Sequence, residues 1–338
     1  MADVILELKE LSTHFFTDSG EIPAVDKVSF TVNKGEVVGI VGESGSGKSV
    51  TSLSIIQLIP NPPGKIVGGE ISFKGNDLAH AAESTMKKIR GNEISMIFQE
   101  PMTSLNPLFT IGNQMREAIR IHQKISKKAA TEKAIGMLKV VGIPRAEEIV
   151  NEYPHQLSGG MRQRVMIAMA MSSAPELLIA DEPTTALDVT IQAQILDLMK
   201  KINKEEQTSI LLITHDLGVV ADICDRVVVM YSGQVVEQGT KREILKEPQH
   251  PYTQGLIRSL PKIHGREEKL YSIPGTVARP KVDQVGCRFA PRCEFAFERC
   301  FNESPALYPV GDGRESRCFL HDDKEGERLK DAATNIRS

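Results

Sequence analysis

Residues Gly42 to Ser49 read GESGSGKS, a glycine-punctuated loop that ends in a cation and a hydroxyl. That spacing suits the holding of phosphate. Gly42, Gly45 and Gly47 let the backbone curl until consecutive N–H groups point inward, with Glu43, Ser44 and Ser46 between them in the same loop. Lys48 reaches the β- and γ-phosphates as a point charge, and the Ser49 hydroxyl can ligate Mg²⁺. A glycine-rich turn with no ligand would not need a strand before it and a helix after it. Here Val37–Val41 is a short β-branched apolar run, and helical apolar spacing resumes over Val50–Leu58. The helix start adds the positive end of its dipole, so the stretch reads as a nucleotide-phosphate site.

A second constellation follows downstream. Leu177–Glu182 (LLIADE) is an apolar strand ending in two acids. Asp181 at the strand end is placed to hold Mg²⁺, and Glu182 to polarise an attacking water as general base. Two such acids could instead mark a strand entering solvent, but the phosphate loop upstream favours the catalytic pairing. Ser158, Gly159 and Gly160, in LSGGM, open a helix expected over Arg162–Met171 and suit a second phosphate-binding helix start. Two phosphate sites so far apart in one chain suggest that they meet across a dimer. His215 follows the strand Leu211–Thr214 and could hydrogen-bond a γ-phosphate, although a histidine there is often just a surface residue. Gln99, past Ile97-Phe98, could sense the same phosphate through metal or water.

The elements that must position these groups alternate. Val4–Leu11 and Ala24–Val32 read as strands joined through Asp18–Gly20, a plausible antiparallel pair. Asn33–Glu36 turns into the loop's strand, and Pro60–Gly64 ends the helix after it. Glu70–Lys74 and Ile94–Phe98 are further strands, and residues 100–165 form a mainly helical insertion. Ile191, Ile195, Leu198, Met199 and Ile202 mark one helix face, and Ser232-Gly233 turns a hairpin. The alternation predicts an α/β, doubly wound parallel sheet. After Pro248 prolines interrupt every periodic run, which predicts a separate loop-rich module and a mobile charged tail over 321–338.

Composition excludes several classes. A net charge of −3 gives no sign of a nucleic-acid-binding protein. There is no apolar run of about 18 residues, and the N-terminus lacks the pattern of a signal peptide, so a cytoplasmic chain is expected.

Taken in order, GESGSGKS, Gln99, LSGGM, LLIADE, ALD at 186–188 and His215 resemble the Walker A, Q-loop, signature, Walker B, D-loop and switch elements of ABC ATPases. The match runs over roughly residues 1–255, with Met161 standing where the family usually has Gln. The resemblance implies a P-loop NTPase cassette with a parallel sheet core, an antiparallel β subdomain and a helical subdomain. It implies ATP and Mg²⁺, the latter held by Ser49, Gln99 and Asp181. It puts Phe15 on adenine, with Phe16 as the competing choice. His250–Gln254 (HPYTQ) and the cysteines beyond it resemble the C-terminal extension of ATP-binding subunits from dipeptide and oligopeptide importers, so residues 256–338 are expected to form that extension. The implied function is ATP hydrolysis that drives peptide import from the cytoplasmic face of the membrane. The implied partners are a second cassette (a paralogue or the same chain), two transmembrane permease subunits and, indirectly, a periplasmic or extracellular peptide-binding protein, with no nucleic acid. Two cassettes would close head to tail, Lys48, Ser49 and Asp181 of one facing Ser158 and Gly160 of the other, with the 99–108 loop as hinge to the membrane subunits.

Other classes fit less well. A DNA-repair ABC ATPase would carry a long coiled coil between Lys48 and Ser158, where only about a hundred residues lie without sustained heptads. A translation-associated one would have two cassettes. A GTPase would place N-K-x-D after a strand, whereas Asn203–Glu206 falls on a helical pattern.

Four of the five cysteines, Cys287, Cys293, Cys300 and Cys318, fall within the last 52 residues, spaced C-x₅-C-x₆-C-x₁₇-C. Cys224 reads as a small core residue. In a cytoplasmic chain two disulfides are disfavoured, which leaves zinc, an iron–sulfur cluster or free thiols. The gaps exceed the C-x₂₋₄-C pairs usual for zinc and suit a wider body. The importer resemblance points to a [4Fe–4S] cluster, whose charge Arg288, Arg292, Arg299 and Arg317 could offset.

Overall fold

The computed structural model describes residues 3–99, 104–185, 187–260 and 271–322. Part of the expected 99–108 hinge, Ala186 of the ALD motif and most of the charged tail lie outside the described residues.

The chain opens with a long antiparallel pair, β1 (Val4–Thr17) and β2 (Gly20–Asn33), closed at Thr17↔Gly20. Next come β3 (Val37–Val41), α1 (Lys48–Ile55), β4 (Gly64–Phe73), β5 (Asn76–Asp77), α2 (Glu83–Ile89) and β6 (Ile94–Ile97). The helical insertion supplies α3 (Ile111–His122), α4 (Lys127–Val140), α5 (Ala146–Ile149) and α6 (Gly159–Ala170). Then β7 (Leu177–Asp181), α7 (Val189–Glu206), β8 (Ser209–Ile213), α8 (Leu217–Ile223), β9 (Arg226–Tyr231) and β10 (Gln234–Thr240) complete the alternating part. The C-terminal stretch adds α9 (Lys241–Lys246), α10 (Pro251–Arg258), α11 (Glu298–Asn302), β11 (Tyr308–Gly311) and β12 (Arg314–Ser316).

Among the described residues these strands make two sheets. One is antiparallel, in the order β2-β1-β4-β5, and the other runs β11-β12-β10-β9-β3-β8-β7-β6. Strands β9, β3, β8, β7 and β6 are parallel, as the alternation of strand and helix requires. Their apolar runs are buried on both faces, and the pleat sorts them. Val37, Val41, Leu178, Ala180, Ile210 and Leu212 join the core under the helical insertion, with Met115, Leu138 and Ile167. Val38, Ile40, Leu177, Ile179, Leu211 and Ile213 join the core beneath the antiparallel sheet, with Leu8, Val28 and Phe30. The phosphate loop leaves the end of a strand clamped between two cores.

The proline-rich end departs from the sequence reading in two respects. Its prolines do not break every run, and it is not separate, since its last hairpin joins the main sheet. Pro251 sits at the first position of α10, where its missing N–H is one the helix would leave unbonded anyway. His250 caps that helix by accepting from the Tyr252 amide through Nδ1. The β11–β12 hairpin continues the main sheet, pairing Glu237↔Ser316 and Gln238↔Glu315 with β10.

Candidate functional site

The turn between β3 and α1 has the curled backbone that its glycines permit. Gly42 and Gly47 sit at φ 155° and 101°, and a Cβ would meet the Met230 carbonyl at 2.2 Å in the first case and the Ala24 carbonyl at 2.5 Å in the second. No other residue type fits either position. Gly47 caps α1 without a side chain, so nothing from the cap covers the first-turn amides. Inside the loop the buried Ser46 hydroxyl has no partner among the described residues. The Lys48 ammonium lies across the loop, donating to the Gly42 carbonyl at 2.7 Å and to the Glu43 carbonyl at 3.1 Å. Burial lowers its pKa, opposed by the charges of Glu182, Asp181 and Glu43.

Strand β7 brings its acids to the same place. The Ser49 hydroxyl donates to Asp181 Oδ1 at 3.2 Å. Glu182 stands at φ 48°, a left-handed conformation that costs an ordinary residue about 1–2 kcal/mol. Successive side chains of an extended strand point to opposite faces; the kink breaks that alternation, and both acids act on Lys48. The Glu182 amide donates to the Ile213 carbonyl at 2.9 Å, which holds the kink against β8.

Around the Glu182 carboxylate three side chains converge. Gln99 Nε2 donates to Oε2 at 3.1 Å, Thr185 Oγ1 donates to the same oxygen at 2.9 Å, and His215 Nδ1 lies 3.1 Å from Oε1. The two neighbouring acids are driven apart. Burial raises Asp181, helped by the charge of Glu182, against the Ser49 hydroxyl and Lys48. Burial also pushes Glu182 up, but the bonds from Thr185 and His215 and the charges of His215 and Lys48 outweigh it, leaving its carboxyl below the ordinary value. One acid of the pair is thus kept as a ready carboxylate, which is what a proton acceptor requires.

The structure brings Lys48, Ser49, Gln99, Asp181, Glu182 and His215 together and leaves LSGGM elsewhere. Ser158 caps α6, accepting from the Met161 amide at 3.3 Å. With Gly159 and Gly160 it lines a surface hollow beside Asp188 and Gln194, which includes no residue of the phosphate loop. Phe15 is half-buried two positions beyond Thr13, whose hydroxyl is 2.8 Å from Ser54 of α1, while Phe16 is 49% exposed. Sequence reasoning missed Thr185, and also Gln163, which ties α6 to the site by donating to the Pro183 carbonyl at 2.6 Å.

Sequence reasoning also missed how the C-terminal stretch grips the loop. The Glu43 carboxylate is held by Arg292, and the Glu43 amide donates to the Tyr252 hydroxyl at 2.8 Å. The arginines expected to offset a cluster's charge are engaged with other groups. Arg288 pairs with Asp26, Arg292 with Glu43, and Arg299 with Asp322, while Arg317 donates to the Val235 and Pro305 carbonyls. The four cysteines themselves line one cavity with Phe289, Phe297 and Phe319. They form no disulfide, and burial raises the thiols of Cys287, Cys293 (to about 11) and Cys318 (to about 12). Among the described residues no three His, Cys, Asp or Glu side chains close on a point where one ion could sit.

Comparisons with known proteins agree along nearly the whole chain. The ABC transporter family pattern matches residues 25–185, and that of the oligopeptide/dipeptide transporter C-terminal region matches residues 236–300. The oligopeptide transport ATP-binding protein AppD of Bacillus subtilis is 55% identical over 96% of this chain and 99% of its own. The dipeptide transport ATP-binding protein DppD of Escherichia coli is 50% identical over 95% of this chain and 98% of its own. Among solved structures, a dimeric bacterial ABC transporter cassette superposes with a TM-score of 0.64 at 29% identity, over 70% of this chain and 99% of that one.

Proposed function

The chain belongs to the ABC transporter ATP-binding subunits of the oligopeptide and dipeptide importer family, and from that membership we propose how its residues divide the work. Its activity is ATP hydrolysis that powers peptide import, in a dimer of ATPases working with membrane permease subunits. No helix among the described residues is long and apolar enough to cross a membrane. We place the chain on the cytoplasmic face of the membrane, against separate permeases fed by a peptide-binding protein, with either a second copy or a paralogue as the partner cassette. Residues 1–255 form the cassette, with the helical subdomain at about 100–165, and residues 256–338 form the importer extension.

The observation that carries the reading is the convergence of Gln99, Thr185 and His215 on the Glu182 carboxylate, beside Lys48 and the Ser49–Asp181 pair. The loop from Gly42 to Ser49 cradles the phosphates, with Lys48 on the β- and γ-oxygens, and Phe15 stacks on adenine. Ser49, Asp181 and Gln99 would hold Mg²⁺, which when bound would offset phosphate charge. Glu182 takes the proton of the water that attacks the γ-phosphorus as the bond to the ADP oxygen breaks. His215 orients that carboxylate and contacts the γ-phosphate. Ser158, Gly159 and Gly160 act in trans, on ATP held by the partner cassette, which agrees with the exposure of Ser158 and Gly159 and with a hollow around them that no phosphate-loop residue lines.

The four cysteines are assigned to a [4Fe–4S] cluster, which supplies a cross-link where few large apolar side chains hold the chain together. Supporting this, all four thiols border one cavity and the donor set is soft. Zinc is the competing occupant. The overall reading is tested by reconstituting the chain with its permease subunits in vesicles. ATP-dependent peptide uptake is expected and should vanish with Lys48→Ala; ATP hydrolysis with no peptide flux would overturn it.

A further inference from the structure

An acidic side chain next to a polyanion site needs an explanation. Glu43 is the second residue of the phosphate loop, directly after Gly42, and its charge is felt at Lys48. Left free, its carboxylate would compete with a triphosphate for that ammonium and repel the phosphates through the same space. The structure takes its carboxylate and its amide away from the cradle, while its carbonyl accepts from Lys48 at 3.1 Å. Arg292 Nη1 donates to Oε2 at 2.7 Å and Nη2 to Oε1 at 3.1 Å, the two-pronged geometry that a planar guanidinium offers a carboxylate. The Glu43 amide is turned toward the buried hydroxyl of Tyr252.

Arg292 is itself fixed on every side. Its Nε donates to the Pro274 carbonyl at 2.8 Å, its Nη2 faces the Ile273 carbonyl at 3.4 Å, and its Nη1 faces the Tyr231 hydroxyl at 3.4 Å. The side chain is only 5% exposed. It ends a short 3₁₀ turn, Ala290–Arg292, immediately before Cys293. A rotamer-rich side chain pinned by five contacts has little ordering entropy left to lose, so it holds its partner in one place.

We propose that Arg292 is a positioning residue for ATP binding: it neutralises the Glu43 carboxylate and holds that carboxylate outside the phosphate cradle, with Tyr252 fixing the same residue's amide. This rests on the reading of Gly42–Ser49 as the cradle. The C-terminal module therefore takes part in nucleotide affinity without touching nucleotide.

The test is ATP affinity of the full chain, measured with a fluorescent ATP analogue and Mg²⁺ at 50 and 500 mM salt. Arg292→Gln should weaken binding about tenfold at low salt, with the deficit shrinking at high salt as the freed carboxylate is screened. The loss should depend on the Glu43 charge, so the double variant Glu43→Gln/Arg292→Gln should bind within about twofold of Glu43→Gln alone. Tenfold weakening that Glu43→Gln does not rescue would mean that Arg292 only packs the module, and would overturn the proposal. An unchanged Arg292→Gln would overturn it as well. If Arg292→Gln does not fold, Arg292→Lys decides: it keeps the charge without the two-pronged grip, so a salt-sensitive loss of affinity is expected and parent-like binding would overturn the proposal. Lys48→Ala separates the two levels. Should it bind ATP like the parent, the cradle reading fails, whatever Arg292 does.

Discussion

Replacing Glu182 by glutamine isolates the chemical step, because the structure lets the amide inherit most of the carboxylate's contacts. Thr185 and Gln99 both donate to Oε2, at 2.9 and 3.1 Å, and an amide oxygen accepts from them as the carboxylate did. The new NH₂ falls opposite His215 Nδ1, which can accept when its proton is on the other nitrogen. The left-handed backbone at Glu182 is unaltered, so the cost in stability is small. What disappears is the proton acceptor, worth about 10²–10⁴ in kcat, or about 3–5 kcal/mol of barrier. Binding should move the other way. One of the negative charges acting on Lys48 is removed, so the ammonium is freer for phosphate and ATP affinity should stay level or rise. Phosphate release measured beside analogue binding separates the two effects, and size-exclusion chromatography with ATP should reveal a persistent dimer when a competent partner cassette is present. Turnover at the parent rate would remove Glu182 from the mechanism. Equal losses of binding and turnover would mean that the carboxylate serves the loop's structure and not the reaction.

Three further outcomes are expected. Ser158→Arg should leave ATP binding to the isolated chain within about twofold while abolishing hydrolysis, and a parallel loss of binding would return Ser158 to the role of a helix cap. Anaerobically purified protein should carry about four irons and four sulfides with broad absorption near 400 nm, and Cys293→Ser should lose both; one zinc per chain without colour would replace the cluster. Gly39→Ala would bring a methyl to 2.8 Å from the buried Cys224 sulfur, at a cost of about 1–3 kcal/mol and a melting temperature lower by several degrees. Adding Cys224→Ala should recover part of that loss in thermal melts, whereas additive losses would mean that the two positions do not meet.

The phosphate loop was legible because its chemistry is local: eight consecutive residues and the apolar runs beside them carry it. Asp181 and Glu182 were legible as a catalytic pair, but the left-handed backbone at Glu182 was not, since no side-chain type in LLIADE demands it. The helical insertion followed its period, with Met115, Ile119 and Leu138 buried as their spacing implies. The C-terminal arginines misled for a physical reason. Charge beside cysteines suggests compensation of a cluster, yet Arg288 and Arg292 reach Asp26 and Glu43, partners more than two hundred residues away that only the folded sheet brings near. Tyr252 likewise read only as part of a C-terminal signature; its hydrogen bond to the loop could not be seen in the order of residues.

The hairpin that pairs Ser316 with Glu237 has a consequence for how the protein is made. The two residues are about 80 positions apart, so at a synthesis rate of about 5–20 residues per second the outer edge of β10 waits about 4–16 s before β12 leaves the ribosome to cover it. For that interval the nascent sheet presents unpaired N–H and C=O groups to any neighbouring strand. Two buried polar residues on opposite faces of the strand, Glu237 and Gln238, stand at the uncovered rungs. A ribosome stalled before Arg314 would release a chain with its catalytic residues already built and its sheet still open.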